Sequence, residues 1–288
     1  MRKQAEYNAN EICKDYQKDI LTIPKIANKH NISVQTVYDI IKRYNIPSKR
    51  QDNRKNIFNY NYFDKIDTKD KSYWLGWLYS DGCNYPPTGT FSIKLQEDDI
   101  DILYTLYQYI SKDTPKISKI KKEKGKNQVA ITFTSCYTSK KLEELGVVQA
   151  KTFKLKFPTE EQVPKHLQSH FIRGYFDGDG CLKNYMQNND KFPSYYFVIS
   201  GKFEFLEKLQ QILIENCNIG KTKLVKNKSI FNLNYGGNRQ IEKICSWLYQ
   251  DCDNLYLKRK KQEYENLITL NKNKNRKYLK KKYEQIKK

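Results

Sequence analysis

Trp74-Leu75-Gly76-Trp77-Leu78-Tyr79-Ser80-Asp81-Gly82 and Ile172-Arg173-Gly174-Tyr175-Phe176-Asp177-Gly178-Asp179-Gly180 are two versions of one pattern, their closing acids 98 residues apart. Each reads as an apolar helix carrying two small residues four apart, then an Asp, then a Gly. Gly76 and Ser80 share one helix face, and so do Gly174 and Gly178. Small side chains at that spacing let two helix backbones approach closely. Trp77, Leu78, Tyr175 and Phe176 are then free to fill the cores of two repeats. Packing about a pseudo-twofold axis sets Asp81 and Asp179 side by side at the helix C-termini, where the helix dipoles add negative potential of their own. That arrangement asks for a divalent cation. Oxygen ligands of this hardness suit Mg²⁺ (or Mn²⁺), which keeps several waters and shares phosphate oxygens. The terminal carbonyls of Ser80 and Gly178 are candidate extra ligands. Metals held this way activate water and stabilise the leaving oxygen in an in-line phosphodiester displacement. Gly82 and Gly180 are expected in the left-handed conformation that ends a helix. Asp177 stands opposite Tyr79 in the alignment of the two copies, so its expected role is secondary. Cys83 and Cys181 follow the motifs and are expected to pack.

The surrounding sequence repeats too. A helix capped by Asp67 or Thr68 runs into Asp81, followed by a strand at Phe91–Leu95 and a helix at Asp99–Ile110. A second strand pair follows, with a lysine-rich turn at Lys121–Lys126 and a strand at Gln128–Thr134, and a helix at Ser139–Leu145 closes the unit. The second copy begins near Lys165. It reads helix to Gly178, strand Tyr195–Ser200, helix Glu204–Glu215, a strand pair within Lys221–Tyr235, and helix Arg239–Tyr249. A period this long is a duplicated small domain, not a solenoid. The strands alternate: Phe91, Ile93 and Leu95, or Val129, Ile131 and Phe133, or Phe231, Leu233 and Tyr235, point one way. Ser92, Lys94, Thr132, Thr134, Asn232 and Asn234 point the other way. They form a polar face able to hydrogen-bond base edges and phosphates, or simply to face water.

Residues 1–50 read as a separate all-α unit. Helices are expected at Asn10–Lys18, Thr22–His30 and, capped by Ser33, up to about Tyr44, with a turn at Asn31-Ile32. The segment IPKIANKHNISVQTVYDIIKRYNI resembles a helix-turn-helix of the homeodomain-like or resolvase-like kind, whose third helix enters the major groove. Val34, Gln35, Thr36 and Tyr38 would then face bases, and Lys42 and Arg43 phosphates. Residues 51–66 read as a linker, within a polar, basic stretch that starts at Pro47. Residues 258–288 form a basic tail with thirteen Lys+Arg against three Glu. Tyr264, Leu267, Ile268 and Leu270 could anchor it as a helix.

The whole chain of 288 residues carries 53 Lys+Arg against 32 Asp+Glu, a net +21 that favours a polyanionic partner. Its seven cysteines include no CxxC pair, and three histidines complete no zinc pattern. They read as reduced thiols of a cytoplasmic protein. No segment reads as a membrane span or signal peptide.

The two motifs resemble those of LAGLIDADG homing endonucleases in the monomeric form with two copies. FIRGYFDGDG is the more characteristic, and LGVVQAKTFKLKFP followed by VPKHLQSHFIRGYFDGDG is also similar to members. The likeness spans about Asp67 to Asp253. It implies an α+β fold of tandem αββαββα repeats, 67–160 and 161–257, forming a saddle over duplex DNA. It implies cutting of both strands across the minor groove, with short 3′ overhangs. It also implies that Asp81 and Asp179 are the metal-binding catalytic acids. Members often add a basic and a polar residue near the metals, and a rough alignment puts that strand-end position near Cys136 and Tyr235. The rival readings are a DNA-binding regulator that does not cut and an RNA-splicing maturase.

Overall fold

Three short helices open the described chain: α1 (Ala9–Lys18), α2 (Ile23–Lys29) and α3 (Val34–Arg43). The computed structural model describes residues 8–18, 21–44, 46, 58–111, 114–123, 125–149, 151–186 and 192–286. The first part of the expected linker, 47–57, lies outside the described residues. Asn31 takes a positive φ of 53° in the turn before α3, a conformation its short polar side chain tolerates. Ser33 caps α3, its Oγ accepting from the Thr36 N–H at 3.0 Å. Asp15 accepts from both Lys29 and His30 at 2.7 Å, tying α1 to α2. Ile12, Ile26, Ala27, Val37, Ile40 and Ile41 make a small core of their own.

The first repeat comprises α4 (Lys69–Ser80), β1 (Gly82–Tyr85), β2 (Thr90–Gln96), α5 (Asp101–Ile110), β3 (Ile117–Ile120), β4 (Gln128–Thr134) and α6 (Cys136–Glu144). A short α7 (Lys151–Lys154) lies in the connection. The second repeat comprises α8 (Gln168–Asp179), β5 (Gly180–Tyr185), β6 (Ser194–Gly201), α9 (Phe203–Cys217), β7 (Val225–Asn227), β8 (Ile230–Gly236) and α10 (Asn238–Leu248). α11 (Lys258–Ile286) follows. The fold is α+β, with two antiparallel four-stranded sheets of matching order, β1-β2-β4-β3 and β5-β6-β8-β7. Each repeat therefore runs αββαββα.

Besides α7, two strands were not visible in the sequence pattern. β1 and β5 start directly after the motif acids and pair with β2 and β6. Gly82 and Gly180 begin these strands, and neither has a positive φ. They are small for another reason. A Cβ on Gly82 would run into the Leu78 backbone, and one on Gly180 into the Phe176 ring and carbonyl. α6 begins three residues before the expected Ser139, because Ser135 caps it, accepting from the Thr138 N–H at 3.1 Å.

Most of the molecule is built on one core, reaching from Phe58 to Leu267. Residues 58–66 belong to it and are no solvated tether. Phe58 packs edge-on against Phe91 and Phe133, and Tyr62 donates to Asp70. The inward strand positions Phe91, Ile93, Val129, Ile131, Phe133 and Leu233 are buried. Lys94 is exposed, while Ser92, Thr132, Thr134, Asn232 and Asn234 are half-buried on the opposite face. Ser92 pairs across from Thr132, and Ser200 Oγ donates to Asn232 Oδ1 at 2.9 Å. The tail is helical in its described part, with Tyr264 and Leu267 buried and Ile268 and Leu270 against the core. No helix among the described residues is long and apolar enough to cross a membrane.

Candidate metal centre

α4 is apolar on every side from Tyr73 to Tyr79, and every one of those residues is buried. A helix of that composition belongs inside a protein, and here it lies against α8. The contact is backbone to backbone. A Cβ on Gly76 would strike the Phe171 carbonyl, and one on Gly174 the Tyr73 carbonyl. Further along, a Cβ on Gly178 would strike Ser80 and come within 2.9 Å of Asp81 Oδ2. Ser80 turns its hydroxyl back to the Trp77 carbonyl at 3.1 Å, so this short side chain needs no partner across the interface. The small residues thus meet as one seam, and the seam ends at the two acids.

Asp81 ends α4, its N–H bonded to the Trp77 carbonyl at 3.0 Å. Burial, and then the nearby Asp179 carboxylate, push its carboxyl up to about 6. Asp179, the last residue of α8, is open to solvent at the surface. The protein around it still raises its carboxyl, while Lys151 and Lys260 pull the other way. Two acids held at helix C-termini and made reluctant to ionise are a natural seat for a cation. Among the described residues no group of three or more His, Cys, Asp or Glu gathers to hold a metal. Asp81 and Asp179 are therefore the carboxylates available to a cation here. A cleft of about 230 Å³ opens beside them, lined by Ser80, Lys151, Tyr175, Asp179, Ser200 and Lys202 among others.

Two lysines that motif reading did not single out reach this place. Lys151 Nζ donates to the Leu78 carbonyl at 3.0 Å and to the Ser80 carbonyl. Lys260 Nζ donates to the Asp177 carbonyl at 2.8 Å and to the Phe176 carbonyl. Each ammonium bonds carbonyls in the last turn of one motif helix, the Phe176 carbonyl accepting from the Gly180 N–H as well. Burial lowers both ammonium groups to about 8, against the pull of the neighbouring carboxylates. The Ser80 carbonyl, expected as a metal ligand, is thus engaged by an ammonium. The basic groups do not come from the strand ends at Cys136 and Tyr235. Cys136 opens α6, and Tyr235 is buried on β8. Lys151 sits inside LGVVQAKTFKLKFP, the stretch already similar to family members, and Lys260 is the third residue of the basic tail.

The remaining expected residues fall as follows. Asp177 is fully buried, its carboxylate accepting from Tyr73 and from the Leu257 N–H. Cys83 is exposed and Cys181 half-buried, so neither fills a core. The other half of the tail's opening charge is spent within the molecule: Lys258 pairs with Asp101 at 2.5 Å and Arg259 with Asp99 at 3.1 Å. On α3, Val34 and Tyr38 are 40% and 50% exposed, and Lys42 and Arg43 are exposed beside them. Gln35 donates to Asp39 at 3.1 Å, and Thr36 is drawn into the Ser33 cap.

No protein-family model and no curated protein matches the chain. Among solved structures it is similar to the LAGLIDADG meganuclease I-AabMI bound to uncleaved DNA, at 15% identity and a TM-score of 0.46, over 70% of this chain and 91% of that one. It is similar to the meganuclease I-SmaMI bound to uncleavable DNA, at 14% identity and a TM-score of 0.47, over 71% and 91%. It is also similar to full-length DUF199/WhiA from Thermatoga maritima, at 17% identity and a TM-score of 0.45, over 78% and 71%. Likenesses of this size leave function to be argued from the chain's own residues.

Proposed function

We propose that this protein is a divalent-metal-dependent endonuclease that cuts both strands of a long, specific duplex DNA site. The observation that carries the reading is the glycine-lined seam of α4 and α8, which ends in Asp81 and Asp179 with both carboxyls raised. Asp81 and Asp179 would hold Mg²⁺ or Mn²⁺, with the Gly178 carbonyl as a further ligand. Bound there, the metal would supply an activated water and charge stabilisation for phosphodiester hydrolysis. The chain's own residues do the rest. Lys151 and Lys260 keep positive charge beside the acids, offset the repulsion between the two carboxylates and hold the helix ends that carry them. The polar outer faces of the two sheets, through Ser92, Lys94, Thr132, Thr134, Asn232 and Asn234, meet base edges and backbone. A long DNA site can be read by one monomer because two repeats already supply two half-site surfaces.

The N-terminal helices extend that footprint. Val34, Gln35, Thr36 and Tyr38 near the start of α3 contact bases, and Lys42 and Arg43 contact phosphates. The net charge of +21 makes the association strongly salt-dependent.

The test is cleavage selection. A library of randomised duplexes is incubated with the full chain in Mg²⁺ or in EDTA, and new ends are sequenced. A recurrent site cut only with Mg²⁺ supports the reading. Enrichment of bound but intact duplexes in both conditions would leave a DNA-binding regulator instead, and preference for a structured RNA would favour a maturase.

A further inference from the structure

Tyr79 and Asp177 occupy the same position in the two motif helices, two residues before the acids; Tyr79 lines the cleft beside them and Asp177 is fully buried, and the polar end of neither is given to that cleft's acids. Both bond instead to the backbone of a connector. Tyr79 Oη donates to the Leu145 carbonyl at 2.6 Å. That carbonyl closes α6 and begins the run to Lys151. Gly146 next to it has φ +93°, and any Cβ there would collide with the Tyr79 hydroxyl. A glycine is therefore required at this point by conformation and by the tyrosine together. Asp177 Oδ2 accepts from the Leu257 N–H at 2.9 Å and from Tyr73 Oη at 2.8 Å. Leu257 in turn starts α11, its carbonyl accepting from the Lys260 and Lys261 N–H groups at 3.0 Å each. The chemistry is reversed between the copies: a hydroxyl donates to a carbonyl in one, and a carboxylate accepts from an amide in the other.

We infer that Tyr79 and Asp177 are paired positioning residues, each fixing the connector that delivers its own repeat's lysine to the carbonyls beside the acids. Arg173 reinforces the second tie, donating to the Leu248 carbonyl at 2.7 Å and the Leu255 carbonyl at 2.8 Å on the same connector. The inference rests on the endonuclease reading for its purpose. Its geometry does not, so the test uses no DNA.

Purified full-length chain is exposed briefly to trace acetic anhydride at one fixed pH, and acetylation of each lysine is quantified by peptide mass spectrometry. Lys94, exposed on β2, serves as the reference. In the parent protein half-buried Lys151 and buried Lys260 should both label far more slowly than Lys94. Tyr79→Phe should raise Lys151 labelling about fivefold or more and leave Lys260 unchanged, since one hydrogen bond to a connector is lost. Asp177→Ala should do the reverse. In Asp177→Asn, Lys260 should label more slowly than in Asp177→Ala, because the amide's carbonyl oxygen can replace Oδ2; both variants lack the carboxylate that favours the Lys260 ammonium, so the difference between them reads the connector alone. Unchanged Lys151 labelling in folded Tyr79→Phe overturns the inference. So does a joint rise of both lysines in either variant, which would mean general loosening. Should Asp177→Ala fail to fold, Tyr79→Phe decides alone. None of these outcomes depends on whether the protein cuts DNA.

Discussion

The two motif helices end alike and are supported differently. α4 and α8 meet through the same small positions, and each has its carbonyls capped by a lysine. Behind that front the chemistry diverges. α4 is held by apolar packing, with Leu75 fully buried. α8 carries Arg173 at the matching position, equally buried, with His170 one turn earlier at 3.0 Å from its guanidinium. Burial and that guanidinium push His170 down to about 4, so it stays neutral. The difference teaches that duplication preserved what faces the seam and let the far side drift. The seam must satisfy two backbones at once, whereas the far side needs only some way to hold a connector.

The comparison can be broken first at the seam. Gly76→Val and Gly174→Val should cost about the same, roughly 3 kcal/mol or more each, because either side chain meets backbone. Denaturant unfolding of the two variants would show unequal losses if the seam were not shared. Next comes the far side, where symmetry should fail. Leu75→Met should cost under about 1.5 kcal/mol. Arg173→Met should cost about 2–4 kcal/mol, since it leaves the Leu248 and Leu255 carbonyls without their donor. Equal losses would mean that the buried guanidinium is no brace.

Third, Lys151→Met and Lys260→Met should each slow cutting by about 10–100-fold, or roughly 1.4–2.7 kcal/mol in the barrier. Single-turnover cleavage measures this, and an unaffected rate in either would remove that lysine from the site. The smallest effect is a pH dependence. Asp81 binds its proton more tightly in the folded chain than at its ordinary 3.8, with a folded value of about 6. Without divalent metal, the part of the stability that Asp81 contributes is therefore fullest below 3.8 and is lost as pH rises to about 6. Asp81→Asn should match the parent at low pH and exceed it by on the order of 1–2 kcal/mol at neutral pH in EDTA. Urea titrations across that range check the sign, and a constant difference would contradict it.

Much of the fold was legible from period alone. The amphipathic strands β2, β4 and β8 and the doubled helices announce themselves in alternation and in paired glycines. β1 and β5 did not, because a strand that begins inside the Asp-Gly ending has too few residues to show a period. The tail's role was hidden in another way. Thirteen cations among 31 residues read as a basic tail that four apolar residues could anchor as a helix. The structure spends Lys258 and Arg259 on Asp101 and Asp99 and buries Lys260. Charge counted along a sequence does not say which charges meet a partner inside the molecule. Lys151 and Lys260 escaped for the same reason. Their partners are backbone carbonyls, and a carbonyl leaves no mark in a sequence.

The account's central claim is that Asp81 and Asp179 form one metal-dependent cutting site. It is tested most directly by digesting a selected duplex site in Mg²⁺ with the parent chain, Asp81→Asn and Asp179→Asn, matched for DNA binding. The account predicts double-strand breaks from the parent alone, with each variant slowed by roughly 10²–10³-fold or more. Undiminished cutting by both variants would contradict it.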